Sequence, residues 1–169
     1  LLSILQKSLP SGTRLYGYDV APTAIAVAEK RQNEHLSFVC KDILKTSDQD
    51  ADLLLLMDVF EHIPDYMGFL TALNGYARQF VFHIPLDMNM VHLLRDRQIL
   101  SRDVAGHLHY YSKATGLRTL EDCGYRIIDW NYTRVYETDK AMRSPLKRLL
   151  SLPRAAGMAI APDMAVKLF

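Results

Sequence analysis

The sequence lacks an excess of charge of either sign. Its 169 residues include 20 basic and 19 acidic side chains, which gives a net charge of +1. A balance of this kind provides no electrostatic argument for nucleic acid or an anionic membrane surface as a partner. We therefore expect a protein that binds no nucleic acid.

Cysteines and long apolar runs are also scarce. Two cysteines are too few for a disulfide framework or a structural zinc site, which favours a reducing cytoplasm. The longest apolar run in the first half, Leu53–Met57, is far shorter than the ~20 residues of a membrane-spanning helix. Leu1–Leu9 has neither the basic start nor the cleavage site of a signal peptide. We expect a cytoplasmic protein without integral membrane association.

Apolar residues make up 49% of the chain, and their spacing alternates between two periods. Short β-branched or leucine-rich runs indicate strands at Arg14–Tyr18, Leu36–Cys40, Asp52–Met57, Gln79–Ile84, Tyr125–Tyr136 and Val166–Phe169. Helical spacing or capping signals indicate helices at Leu1–Leu9, after Ala21-Pro22, after Asp65, at Met88–Leu100 and from Ser112 to Gly124. Alternation of this kind predicts an α/β fold with a doubly wound, Rossmann-like sheet.

Acidic residues follow three successive predicted strands, at Asp19, Asp42 and Asp58. Ligands of open parallel sheets lie at the carboxyl ends of the strands. There, the Asp19 carboxylate could accept hydrogen bonds from both hydroxyls of an adenosine ribose, and Asp42 could accept one from the adenine amino group. Each acid could equally be a helix cap or a solvated loop residue. Together they predict an adenosine pocket, without identifying the adenosine cofactor.

Four sequence motifs narrow that choice. They are YGYDV at Tyr16–Val20, FVCKDI at Phe38–Ile43, DVFEHIPD at Asp58–Asp65 and HLHYYSKATGLRTLEDCGY at His107–Tyr125. Over nearly the whole chain, this pattern resembles the class I S-adenosylmethionine-dependent methyltransferases, in particular their small-molecule branch. A nicotinamide dehydrogenase would share the acid after its second strand, but it has no reason to contain DVFEH. The resemblance therefore favours methyl transfer.

The resemblance implies a cofactor site for S-adenosylmethionine. Asp19 would bind the ribose hydroxyls, Val20 would pack on the adenine, and Asp42 and Ile43 would hold the adenine edge. The remaining cofactor-side residues would be Met57 and Asp58 along the methionine moiety and Phe60 close to the cofactor.

One departure from the family concerns glycine. The family has a G-x-G-x-G turn after a central first strand, in the sheet order 3-2-1-4-5-7-6, and none of the eight glycines forms this turn. We expect residues 1–169 to be a fragment of a single methyltransferase domain, with the first strand and glycine loop upstream and the last strand incomplete. The alternative is a degenerate, non-catalytic methyltransferase-like domain that acts as a binding or structural module.

Methyl transfer to oxygen or nitrogen also requires removal of a proton, and histidine is the natural base near neutral pH. His62, His83 and His107 are the candidates, because they follow predicted strands or precede a helix at the expected acceptor side. We expect a small-molecule acceptor, with O-, N- and C-methylation all open. A homodimer is compatible with the sequence.

A metal site is the last question that the sequence raises. Asp58, Glu61 and His62 are spaced similarly to ligands in metal-dependent relatives such as the ubiquinone-pathway O-methyltransferases. The first acid here is an aspartate, whose reach is shorter than that of glutamate. We assign no metal site from the sequence.

Overall fold

A computed structural model describes residues 1–46, 50–133 and 152–168 of the chain. It divides into two compact units, Leu1–Ala51 and Asp52–Phe169, which are considered separately. The prediction of a single domain over residues 1–169 stays a prediction.

The first unit is a small α/β layer built on two parallel strands. Its elements are helix α1 (Leu2–Leu5), strand β1 (Leu15–Asp19), helix α2 (Pro22–Ala28), strand β2 (Leu36–Cys40) and 3-10 helices at Glu29–Arg31 and Ile43–Lys45. Pro22 opens α2, where its missing N–H has no helical partner to lose. Ile25 of α2 and Leu36 of β2 are the buried apolar side chains of this layer.

The register of this sheet decides where its ends lie. Leu15 pairs with Leu36 at one end of the ladder, and Asp19 pairs with Cys40 at the other. Because the strands are parallel, the residues that follow each of them leave the sheet at the same edge.

The second unit also contains a two-stranded sheet, together with several helices. Its elements are β3 (Ala51–Met57), a 3-10 helix (Phe60–His62), α3 (Tyr66–Leu73), β4 (Ala77–His83), α4 (Met90–Leu94), α5 (Arg97–Ala105), α6 (Lys113–Asp122), α7 (Leu152–Ile160) and α8 (Pro162–Leu168). Its fully buried side chains are Phe60, Glu61, Leu70 and Leu73. Within the described ranges, no helix is both long and apolar enough to cross a membrane.

Contacts at both ends of the second sheet show the direction of its strands. Near the start of both strands, Arg78 lies 3.5 Å from the Asp52 carboxylate. At the other end, the Asp58 N–H donates to the His83 carbonyl at 3.2 Å. The strands β3 and β4 therefore run in the same direction and end at the same edge.

The four strands of the first 83 residues lie where the sequence predicts them, within one or two residues of the expected bounds. They pair as β1 with β2 and β3 with β4. In the family's sheet order, 3-2-1-4-5-7-6, these pairs correspond to the second strand beside the third and the fourth strand beside the fifth. The structure thus has α/β content with two small parallel sheets, and the doubly wound arrangement stays a prediction.

Two predicted strands are wrong. Residues 125–133 of the Tyr125–Tyr136 prediction form no strand, and residues 134–136 lie outside the described part. Tyr125 packs against the rings of Phe80 and Phe82, but aromatic content supplies side-chain packing and not a hydrogen-bonded neighbour.

The second error concerns Val166–Phe169, where residues 166–168 belong to helix α8. Pro162 and Asp163 at the start of α8 favour a helix, and its Ala165 is buried in a cluster with Met158 of α7. Phe169 lies outside the described residues. The predicted helix Met88–Leu100 is also interrupted, because Asp96 adopts a left-handed conformation (φ 48°) between α4 and α5.

Shortening the fully buried Leu70 should weaken the second unit. We expect Leu70→Ala to lower the free energy of unfolding by about 2–5 kcal/mol, because it leaves a cavity among packed side chains. Met67→Ala is the matched control on the same helix, since Met67 is 43% exposed, and it should change stability by at most about 0.5 kcal/mol. Chemical denaturation measures both, and equal midpoints for the two variants would refute this assignment of the core.

The buried phenol of Tyr125 should make stability depend on alkaline pH. Burial raises its pKa from 10.0 to about 12, and its hydroxyl donates to the Leu70 carbonyl at 2.7 Å. A pKa raised in the folded state means a contribution that is present below pH 10 and lost as the pH rises towards 12. The stability advantage of the wild type over Tyr125→Phe should therefore shrink across this range. Urea titrations at several pH values check it, with Tyr16→Phe as the exposed control.

Candidate active site

The first unit brings its two predicted site acids to one edge of the sheet. Asp19 ends β1, and Asp42 lies two residues beyond the end of β2. One oxygen of Asp19 accepts the Ala21 N–H at 2.8 Å, and one oxygen of Asp42 accepts the Leu44 N–H at 3.0 Å. Each carboxylate thus fixes the turn that follows its strand, while its remaining lone pairs can accept further hydrogen bonds.

The apolar neighbours of these acids also lie near this edge. Val20 is 72% exposed, so its side chain offers open apolar surface next to Asp19. Ile43 begins the short helix after Asp42 and is half-buried. The Cys40 thiol lies 3.9 Å from the Val20 carbonyl, a proximity that follows from the β1–β2 register and that no sequence motif signals.

In the second unit, Asp58 and His83 form a pair where β3 and β4 end. The Asp58 Oδ1 atom lies 2.6 Å from His83 Nδ1, and the Asp58 side chain is 51% exposed. Asp58 adopts a left-handed backbone conformation (φ 53°), which side-chain-bearing residues rarely take. Its N–H donates to the His83 carbonyl, so main chain and side chain both join the two residues.

The partners of His83 define which nitrogen can act as a base. If Nδ1–H donates to the Asp58 carboxylate, Nε2 holds the lone pair. That nitrogen lies 2.9 Å from the Thr133 hydroxyl, which then donates to it. A histidine oriented by a carboxylate, with its other nitrogen near a hydroxyl, has the arrangement of a general base.

A groove of about 1190 Å³ within the second unit extends along β4 and residues 124–133. Met57, Asp58, His83 and His107 line it, together with the aromatic rings of Trp130 and Tyr132. The lining combines apolar and aromatic side chains with many charged and polar ones, so the groove offers both kinds of contact.

Lys113 adds a positive charge to the wall of this groove. Its ammonium nitrogen lies 4.0 Å from the centroid of the Trp130 ring and 2.6 Å from Asp163. Hydrogen bonds from Lys113 and Tyr132 hold the pKa of the Asp163 carboxyl below its usual value. These contacts fix the position of Lys113 beside the aromatic rings.

A second cluster of the same unit joins Glu61, His62 and His107. One ligand atom from each lies within 4.8 Å of the others, and the two imidazole rings are 5.1 Å apart. Glu61 is fully buried, and desolvation of its carboxyl raises its pKa. The structure therefore places His62 and His107 together and places His83 in a different pair.

Phe60 differs from the other predicted cofactor residues, because it presents no surface to a ligand. Its ring is fully buried and packs against Tyr111, Tyr66 and Phe82 at centroid distances of 5.0, 6.3 and 6.5 Å. Burial also raises the pKa of the Tyr111 phenol. Phe60 therefore packs in the aromatic core of this unit, next to Glu61 in the same 3-10 helix.

Several residues of these clusters had no assigned role in the sequence. Asp87 accepts a hydrogen bond from His107 Nδ1 at 2.6 Å, and Thr133 contacts His83. Asp87 lies within the segment after the fourth predicted strand, so a search for acids after each predicted strand could have found it. Thr133 follows His83 by 50 residues, and no local pattern connects them.

Comparisons with known proteins address the predicted resemblance. Residues 2–79 match a family model described as Methyltransferase domain. This range contains Asp19, Asp42 and Asp58 but neither His83 nor His107. No curated protein matches the chain.

The crystal structure of the N-methyltransferase NodS from Bradyrhizobium japonicum WM9 is similar to this structure. The two share 23% sequence identity with a TM-score of 0.45, over 69% of this chain and 67% of that one. The family match supports the predicted resemblance to class I S-adenosylmethionine-dependent methyltransferases over residues 2–79, which are less than half of the chain.

Proposed function

We propose that the protein transfers a methyl group from S-adenosylmethionine to a small-molecule acceptor. The observation that carries the proposal is the placement of Asp19 and Asp42 at one edge of a parallel sheet, inside the range that matches the methyltransferase domain. If Asp19 and Asp42 lay at opposite ends of the sheet, they could not both bind one nucleoside. The doubly wound sheet belongs to the same proposal, and the cytoplasmic location remains a prediction.

The residues of the first unit fit the adenosine part of the cofactor. The Asp19 carboxylate is exposed and has acceptor capacity left for a ribose diol after its bond to Ala21. Exposed Val20 can cover a flat base, and half-buried Ile43 can contact its edge beside Asp42.

In the second unit, Met57 and Asp58 are the residues proposed for the methionine part. Both line the groove, and Asp58 binds His83 through only one of its oxygens. The other oxygen can accept a hydrogen bond from an ammonium group, which the carboxylate charge would strengthen.

His83 is the proposed base for a hydroxyl or amine acceptor. Bound S-adenosylmethionine supplies an activated methyl group on a sulfonium centre, so the protein mainly aligns the reactants and excludes water. An acceptor hydroxyl in the position of the Thr133 hydroxyl could give its proton to His83 Nε2. Its oxygen would take the methyl group while the bond between the methyl carbon and the sulfonium sulfur breaks, and the neutral thioether would leave. The Asp58 carboxylate, 2.6 Å from Nδ1, stabilises the imidazolium that results.

The groove supports a small acceptor with an apolar part. Trp130 and Tyr132 contribute aromatic surface, and Met57 contributes a flexible apolar side chain. Lys113 is held over the Trp130 ring and paired with the Asp163 carboxylate at 2.6 Å, so its charge is already compensated. The aromatic wall therefore favours an acceptor with an apolar body.

One observation favours the alternative of a non-catalytic domain. Asp19 and Asp42 each accept a hydrogen bond from the turn that follows, which is a structural role that needs no cofactor. Binding of S-adenosylmethionine separates the two functions.

Calorimetric titration of the protein with S-adenosylmethionine should detect binding that depends on Asp19. Asp19→Asn keeps an oxygen for the Ala21 N–H but removes the charge, and we expect affinity to fall roughly 10-fold or more. Glu34→Gln, an amide substitution of an exposed acid ahead of β2, is the control and should bind like the wild type. No heat of binding with the wild type would support the non-catalytic alternative, and wild-type affinity in Asp19→Asn would remove Asp19 from the site.

Removing the base should slow transfer without abolishing cofactor binding. With labelled S-adenosylmethionine and a panel of phenols and amines, we expect His83→Gln to lower kcat roughly 100-fold or more. A higher pH should partly restore the rate, because hydroxide can then remove the acceptor proton. His35→Gln, in the first unit, should keep wild-type turnover. Base catalysis by these side chains is wrong if His62→Ala, His83→Ala and His107→Ala each retain full turnover.

A further inference from the structure

Glu61 is the most unusual ionisable group of the described chain. Its side chain has no exposed surface, and neither carboxylate oxygen has a hydrogen-bond partner among residues 1–46, 50–133 and 152–168. Buried carboxylates are normally paired or bound to a metal, because desolvation of an unpaired charge is costly. A cation bound to the Glu61 carboxylate would compensate this cost.

Two imidazoles lie beside this carboxylate, and each has an acceptor next to its Nδ1 atom. His62 Nδ1 lies 3.1 Å from the Gly106 carbonyl, and His107 Nδ1 lies 2.6 Å from an Asp87 carboxylate oxygen. Both acceptors require a proton on Nδ1, which leaves the lone pair on Nε2. His62 Nε2 then lies 3.8 Å from Glu61 Oε1. Metal-binding histidines typically donate their other N–H to a carboxylate or a backbone carbonyl in this way.

We propose that Glu61, His62 and His107 bind a divalent transition-metal ion of the Zn²⁺ type. Two imidazole nitrogens and one carboxylate suit Zn²⁺, with a further coordination position left for water or a ligand. Ligand bonds of about 2.0–2.2 Å bring donor atoms to roughly 3–3.5 Å from one another. The donor atoms now lie within 4.8 Å, so changes in side-chain torsion angles can close the site.

The proposed ligands include His107, whereas the spacing in the sequence indicates Asp58 in its place. The neighbouring groups explain this difference. Asp58 is held by His83 at 2.6 Å, and His107 takes the third position although it follows His62 by 45 residues. Gly106 ends α5 in a left-handed conformation (φ 77°), which directs its carbonyl to His62. Asp87 is a positioning residue, because it acts on the metal only through His107.

The site also assigns different tasks to the three histidines. Metal bonds would use the Nε2 lone pairs of His62 and His107, which leaves His83 as the base. His62 is 37% exposed and His107 14% exposed, so solvent can reach the cluster from the His62 side. Metal binding by these residues does not depend on the proposed methyl transfer, and a measurement without S-adenosylmethionine tests it separately.

The experiment is a Zn²⁺ titration of the chelator-treated protein in competition with a chromophoric chelator, with thermal unfolding followed in parallel. We expect one equivalent to bind and to raise the Tm. Glu61→Gln and His107→Asn should each weaken binding by about 100-fold or more, and Asp87→Asn by about 10–100-fold. Circular dichroism without metal checks folding. Glu61→Gln should be at least as stable as the metal-free wild type, since a neutral amide replaces an unpartnered buried carboxyl.

Asp58→Asn and His83→Asn are the matched controls, because they alter another carboxylate–histidine pair of the same unit. Both should bind Zn²⁺ within about threefold of the wild type. The proposal is overturned if the wild type binds no stoichiometric Zn²⁺, or if Glu61→Gln and His107→Asn bind like the wild type. It is also overturned if Asp58→Asn loses Zn²⁺ as fully as Glu61→Gln, because the ligand set would then be Asp58, Glu61 and His62.

Discussion

Parallel pairing of strands is the constraint on which the candidate site depends. Because β1 and β2 run in the same direction, Asp19 and Asp42 leave their sheet at one edge. The same geometry in the second unit brings Asp58 beside His83 and lets main-chain and side-chain hydrogen bonds join them. An antiparallel pair would send these residues to opposite ends of the sheet. In each unit, the direction of the strands therefore determines which residues lie together at the end of the sheet.

Local signals in the sequence predict the four strands of the first 83 residues and the acids that follow three of them. A buried leucine run at β3 and a proline at the start of α2 are each read within a few residues, and the acids after strands follow directly from the strand positions. The prediction of a strand at residues 125–133 is wrong because a side-chain preference for strands does not supply a hydrogen-bonded neighbouring strand. The sequence does not predict that Glu61 and His107 lie close together. They are 46 residues apart and are brought together at the end of α5, and no periodic pattern spans that distance.

The three candidate histidines show how one residue type acquires different properties from its surroundings. His83 faces a half-exposed carboxylate and a hydroxyl, which suits proton transfer. His107 is held by Asp87 and His62 by a backbone carbonyl, and both turn towards a buried acid. The sequence identified all three as candidates but could not distinguish among them. Their partners, and not their spacing, distinguish the proposed base from the two proposed metal ligands.

The left-handed backbone of Asp58 has a consequence for natural variation among related sequences. Only glycine, asparagine and aspartate adopt this conformation readily, and β-branched side chains are strongly disfavoured there. Glycine would remove the carboxylate and asparagine its charge. Of these three residues, aspartate alone combines the left-handed backbone with a charged partner for the His83 imidazole.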